Sequence, residues 1–268
     1  MKLTFVICAY KDSPYLEACI QSLKAQSEAC EIMLATATPS SYLKAIAEQY
    51  AIPYCVREGV PGIAPDWNYA FSLAKTPYVT IAHQDDWYYT DYARDVIAKM
   101  ESAANPLISF TDYAEIRNGA ECAGGKNLKI KRLLLTPLRL PALSKYRFAK
   151  RFVICFGNAI CCPSVTYHKD KIMELLAQEG RNELFQAHFR SNLDWQTWEW
   201  LSRKQGAFLY LPKKYMAHRI HEESETSATI RERQRKGEDY EMFCEFWPKC
   251  IAKMLTGCYG MSEDDNQV

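Results

Sequence analysis

Asp85 and Asp86 are the residues of this 268-residue chain whose type and spacing most directly imply chemistry. Adjacent carboxylates repel each other, so both stay ionised comfortably only where water or a cation neutralises them. They follow the apolar run Tyr78-Val79-Thr80-Ile81-Ala82 and the pair His83-Gln84, and they precede Trp87-Tyr88-Tyr89. A hard divalent ion that also holds phosphate oxygens is a natural partner at such a place; a turn or helix cap built from Asp is the plainer alternative. Asp194 opens the amphipathic run Trp195 to Leu201, where an acid can cap a helix. Arg219 and His221 alternate, so an extended stretch would turn both to one face, while a solvated loop would leave them apart.

The elements that must position these groups follow from periodicity. Leu3 to Cys8 is an apolar run of strand length, and Lys11-Asp12-Ser13-Pro14 then leads into a helix with Leu16, Ile20 and Leu23 on one face. The cycle repeats: Glu31 to Ala35 as a strand, a helix from Ser40 to about Tyr50, Tyr54 to Val56 as a strand, Asp66 to Ala74 as a helix, and Tyr78 to Ala82 as a buried strand. Such alternation predicts an α/β fold with a mostly parallel sheet flanked by helices, and ligands there bind beyond the carboxyl ends of the strands. Residues 124–152, with Gly124-Gly125, Pro137 and Pro141, should interrupt the sheet. Ala159 to Tyr167 and Phe208 to Leu211 read as strands; Asp170 to Gln178, Asp194 to Gln205 and about 227–255 read as helices. Helical spacing assigns most of Trp195, Trp198 and Trp200 to the core.

Composition narrows the function. A formal charge of +1 argues against a general nucleic-acid binder. The N-terminus lacks a small-residue cleavage site, and no stretch approaches the roughly 20 apolar residues of a membrane span, so the chain is expected in the cytoplasm. Its eleven cysteines are expected as free core thiols. Residues 124–152 mix Leu with eight or more Lys and Arg and no acid, which suits the anionic inner face of a membrane, a lid over the active site or a groove for an acceptor.

Taken together, these residues resemble family 2 glycosyltransferases. The family's strand ending in a Tyr-containing turn is matched by Ala9-Tyr10, and its following helix by Leu16, Ser22-Leu23 and Gln26. Gly62 and Asn68 match a Gly and an Asn ahead of the metal-binding strand, and His83-Gln84-Asp85-Asp86 matches the acidic cluster after it. Asp194-Trp195 and Arg219-Ile220-His221, with Ser224, match the later motifs. Two departures stand out. His83 replaces the leading acid, and it can contact phosphate, ligate metal weakly or simply end the strand. Thr36-Ala37-Thr38-Pro39-Ser40 replaces the usual Asp-Asp-Gly-Ser, so the family's carboxylate contact to the nucleotide base is missing.

The resemblance implies a GT-A fold over residues 1–225 and a helical extension over 226–268. It implies Mn²⁺ or Mg²⁺ held by Asp85, Asp86 and His221, and a nucleotide-sugar donor held by Ala9, Tyr10, Thr36, Asn68, Gln84, Asp85, Arg219 and His221. Asp194 would be the general base for an inverting transfer to a saccharide acceptor, one attached to a lipid and used in surface polysaccharide or lipopolysaccharide synthesis. Peripheral contact with an anionic membrane would then follow. A catalytically silent module that binds nucleotide sugar or glycan is the alternative. A nucleotidyltransferase is disfavoured by the lack of a Gly-rich, basic phosphate loop after the first strand.

Overall fold

A computed structural model describes residues 1–220 and 229–264. The chain runs β1 (Leu3–Ala9), α1 (Leu16–Lys24), β2 (Glu31–Thr36), α2 (Ser41–Gln49), β3 (Tyr54–Val56), α3 (Ile63–Leu73), β4 (Tyr78–His83), β5 (Trp87–Tyr88), α4 (Tyr92–Glu101), β6 (Pro106–Arg117) and β7 (Ala120–Cys122). It continues through α5 (Lys126–Leu134), α6 (Arg147–Phe152), β8 (Val165–His168), α7 (Lys169–Gln178), α8 (Leu193–Ser202), β9 (Ala207–Ile220), α9 (Thr229–Cys244) and α10 (Lys249–Asp264). Ser40 starts α2 because its hydroxyl accepts the Leu43 N–H at 3.1 Å. Helix α3 starts three residues ahead of the expected Asp66, because Asp66 Oδ2 accepts the Gly62 N–H at 3.0 Å and closes the first turn.

The strands form one sheet in the order β3-β2-β1-β4-β8-β6-β9-β5, with β7 beside β6. The first half is parallel, as the alternation predicts. The second half corrects the expectation of a mostly parallel sheet: β8 runs antiparallel to β4 and β6, β5 antiparallel to β9, and β6 parallel to β9. Strand β6 extends twelve residues where the periodicity fades, and the strand expected from Ala159 is only Val165–His168, because Cys162–Ser164 form a 3₁₀ turn. Strand β9 is fourteen residues long and bends where Thr111↔Leu211 gives way to Asp112↔Lys214, two residues longer on its own side.

Alternation within the strands separates two cores. Phe5 and Ile7 of β1 pack towards α1, α2 and α4, whereas Val6 of β1 with Val79 and Ile81 of β4 packs towards α3, α7 and α8. Trp195 and Trp198 are fully buried in the second core and Trp200 nearly so, as their spacing implies. Met242 and Phe243 of α9 and Ala252 of α10 belong to that same core. Of the cysteines, Cys19, Cys155, Cys161 and Cys162 are buried, but Cys122, Cys250 and Cys258 are exposed and fall outside the core assigned to them.

Candidate active site

The acid pair stands where β4 ends, and the short strand β5 fixes its surroundings. Trp87 pairs with Ala217 and Tyr88 with Met216, so the next residues along each strand, Asp86 and His218, meet. His218 Nδ1 lies 2.9 Å from Asp86 Oδ1, and the Arg219 backbone N–H donates to the same oxygen at 3.0 Å. Burial opposes charge on His218, but the Asp86 carboxylate outweighs it and holds the imidazole at about 9. The side chain of Asp86 is fully buried, and its Oδ2 has no hydrogen-bond partner among the described residues.

His83 Nδ1 lies 3.9 Å from that oxygen, and His83 Nε2 is buried without a partner among the described residues. His83, Asp85 and Asp86 each place one ligand atom within 4.8 Å of the others. Buried polar atoms left unpaired are costly, so this donor set fits a divalent cation. The His83 ring is not loose: Trp67 of α3 stacks on it at 5.3 Å, and Phe185 meets the edge of Trp67 at 5.2 Å.

The expected donor residues separate into those brought to the acid pair and those engaged elsewhere. Gln84 Nε2 donates to the Tyr10 carbonyl at 3.0 Å, which joins the end of β4 to the Ala9-Tyr10 turn, and the Tyr10 ring is exposed. Arg219 Nε donates to the Asp85 carbonyl at 3.0 Å, and its guanidinium covers the Tyr15 ring at 4.2 Å. Thr36 is buried; its hydroxyl accepts the Thr38 N–H at 2.9 Å, and the Thr38 hydroxyl accepts the Lys11 N–H at 2.6 Å. These bonds tie the ends of β1 and β2 together where the family motif is absent. Asn68 clamps Phe185, donating to its carbonyl at 2.7 Å and accepting its N–H at 2.9 Å. His221 and Ser224 lie outside the described residues.

Asp194 occupies the first turn of α8; the cap position falls to Asn192, which corrects the capping alternative for Asp194. Its Oδ2 accepts Asn158 Nδ2 at 2.7 Å and its Oδ1 accepts the Trp195 N–H at 2.7 Å. Burial raises the carboxyl above its ordinary range, against the pull of these donors and of Arg235 and Lys131. A carboxylate whose proton affinity is raised is a better base for a hydroxyl proton. Burial raises the Cys161 thiol, and the carboxylates of Asp86 and Asp194 add to the effect.

His218, Trp67 and Asn158 escaped the sequence reading. His218 sits only one residue before Arg219, and its role depends on a pairing between strands 130 residues apart. Asn158 follows Gly157, whose φ of +143° and contact with Tyr259 fix a turn that no motif announces.

The chain matches the model of "Glycosyl transferase family 2" over residues 4–176, a span that contains the acid pair and ends before Asp194. A search of curated proteins gives no match. Among solved structures, it is similar to S. aureus TarS 1-349 in complex with UDP-GlcNAc, at 15% identity and TM-score 0.67, covering 96% of this chain and 70% of that one. It is also similar to the mannosyltransferase PcManGT from Pyrobaculum calidifontis in complex with GDP-Man and Mn²⁺, at 12% identity and TM-score 0.64, covering 97% and 69%. Against the longer TarS structure it spans 42% of that chain. The sheet order, the two helical layers and the family match agree: this chain has the GT-A fold and belongs to glycosyl transferase family 2.

Proposed function

We propose that this protein is a metal-dependent, inverting glycosyltransferase that moves a sugar from a nucleotide-diphosphate donor to a saccharide acceptor. The observation that carries the reading is the donor set of His83, Asp85 and Asp86, with two buried atoms left unpaired among the described residues. Asp85 and Asp86, with His83, would hold Mn²⁺ or Mg²⁺; the expected share of His221 falls outside the described residues. When bound, the cation neutralises the charge that develops on the departing diphosphate.

The chain's own residues supply the rest. Asp194 accepts the proton of the acceptor hydroxyl as that oxygen bonds to the anomeric carbon and the bond to the diphosphate breaks; such a base is worth about 10²–10⁴-fold. One carboxylate acting on the acceptor, with no covalent nucleophile, gives inversion. Asn158 and the Trp195 N–H hold the base in place. Arg219 lies beside Asp85 with a guanidinium suited to phosphate oxygens. Ala9, Tyr10, Gln84 and the Thr36–Thr38 turn border the space for nucleotide and ribose. TarS bound to UDP-GlcNAc and PcManGT bound to GDP-Man support a uridine or guanosine diphosphate sugar as donor.

A lipid-linked saccharide, assembled into surface polysaccharide or lipopolysaccharide at the inner face of the membrane, is the acceptor this reading favours. No described helix is long and apolar enough to cross a bilayer, so contact would be peripheral. Asp194→Asn tests the base: donor affinity stays within about twofold, while transfer falls at least 10²-fold. Loss of donor binding in this variant would return Asp194 to a structural role.

A further inference from the structure

Charge is unevenly distributed along this chain. Residues 123–157 hold nine of the 33 Lys and Arg and none of the 32 Asp and Glu, so the remainder carries 24 basic against 32 acidic residues. The segment folds as α5, the 3₁₀ turn Thr136–Arg139 and α6, a layer laid against β6 and β9. Its inward side chains are spoken for. Arg132 donates to Asp112 Oδ2 at 2.7 Å and to the Tyr113 carbonyl at 3.0 Å, and Lys131 to the Tyr113 hydroxyl at 3.1 Å. Lys150 is fully buried on the Lys204 and Gly206 carbonyls, and Arg151 pairs with Glu199.

The outward side is different. Among the described residues, seven of the fourteen large exposed hydrophobic side chains lie between positions 130 and 156. Leu133 is 72% exposed, Phe148 66% and Leu140 60%. Helical spacing groups them with cations: Lys129 and Leu133 are four apart on α5, as are Phe148 and Phe152 on α6. Tyr146 stacks on Phe148 at 5.8 Å, with Lys145 Nζ 5.4 Å from the Tyr146 ring centre. Arg147 is exposed beside them. A clustered apolar surface exposed to this extent marks a docking site, and aromatic rings interleaved with cations on an acid-free layer suit a polar–apolar boundary that is negatively charged.

The geometry points to this outer face of α5, the 3₁₀ turn and α6 as the surface that docks on an anionic lipid bilayer, with Leu133, Leu140 and Phe148 entering the acyl boundary and Lys129, Lys145 and Arg147 meeting lipid phosphates. The inner side of the same layer is bonded to Asp112 and Tyr113 of β6, and β6 pairs with the stretch of β9 that carries His218. The bilayer would therefore lie close to the acid pair. The purpose of the contact, delivery of a membrane-held acceptor, rests on the function proposed above; the contact itself does not.

The test is co-sedimentation of the full chain with vesicles of equimolar phosphatidylglycerol and phosphatidylcholine, and with pure phosphatidylcholine vesicles. The chain should partition to the anionic vesicles at least about tenfold more strongly, and less so as salt rises. Lys145→Glu with Arg147→Glu should cost at least about tenfold, and Leu133→Ser with Phe148→Ser should weaken binding even at low salt. Met254→Ser, an exposed position on α10, should change nothing. Thermal melting of each variant shows whether it is folded, and single replacements stand in for a double variant that is not. Failure of the folded chain to bind, binding that the variants leave intact, or a dimer in solution that Leu133→Ser with Phe148→Ser dissolves would overturn the assignment. Sugar transfer to a soluble acceptor, measured in parallel, keeps the two readings apart: vesicle binding without transfer leaves this surface standing, and transfer without vesicle binding leaves the enzyme standing.

Discussion

Asp85 and Asp86 are neighbours in sequence with unlike surroundings, and that difference divides their work. Asp86 is sealed in and anchored on His218 and the Arg219 N–H, so it fixes the end of β9. Asp85 is half-buried. A second buried charge gives a test independent of the active site. Lys150 is lowered to about 8 by burial, with Arg147 adding to the effect. Because its unfolded value is near 10.5, the unfolded chain binds more protons between about pH 8 and 10.5, and stability attributable to Lys150 rises across that window. Melting of the wild type against Lys150→Met from pH 7 to 10.5 checks this: the wild type should gain on the variant as pH rises. The acid pair was legible in sequence because adjacency and an apolar run announce it. His218 was not, because no local pattern reports which strand will pair with β5. Asn68 shows the converse: the resemblance assigns it to the donor, whereas its side chain is engaged by Phe185, a partner 117 residues away.

At the scale of elements, α8 is held by a helix that the sequence reading set apart as an extension. Glu238 of α9 is buried, and its carboxylate accepts the N–H groups of Arg190, Ser191 and Asn192 at 2.9, 2.8 and 3.1 Å. Asp239 accepts Asn192 Nδ2 at 2.6 Å. The start of α8 is thus capped from another helix, two residues before Asp194. Hydrogen bonds to a charged acceptor contribute about 1.5–3 kcal/mol each, so Glu238→Ala should destabilise the fold by several kcal/mol. Glu238→Gln, which keeps the shape, should lower kcat about tenfold with the donor KM unchanged, an effect a purely structural role would not divide in this way. The parallel half of the sheet was readable because each strand and helix repeats one period. The second half was not, because β6, β8 and β9 are separated by irregular segments and their order is set by packing.

For the whole molecule, the C-terminal helices pack on the core of the sheet. Trp195 of α8 meets Phe243 at 5.2 Å, Phe246 at 6.4 Å and Tyr259 at 5.8 Å, so α9 and α10 share the core of the sheet. Trp195→Ala should cost about 3–5 kcal/mol. Unfolding followed by tryptophan fluorescence and by far-ultraviolet circular dichroism should give coincident, single transitions; an earlier, separate loss of helix would mark a boundary near residue 225. The sequence pattern does not report such a boundary, since amphipathic helices on a core look alike whether or not they form their own unit.

The central claim, that the acid pair holds a metal and nucleotide sugar together, is tested most directly by isothermal titration of the purified chain with nucleotide diphosphates and nucleotide sugars. Each is titrated with Mn²⁺ and with chelator, for the wild type and for Asp85→Asn. One nucleotide class should bind, requiring the metal and weakening at least about tenfold in the variant. Binding that ignores both chelator and Asp85→Asn, or no binding to any of them, would contradict it.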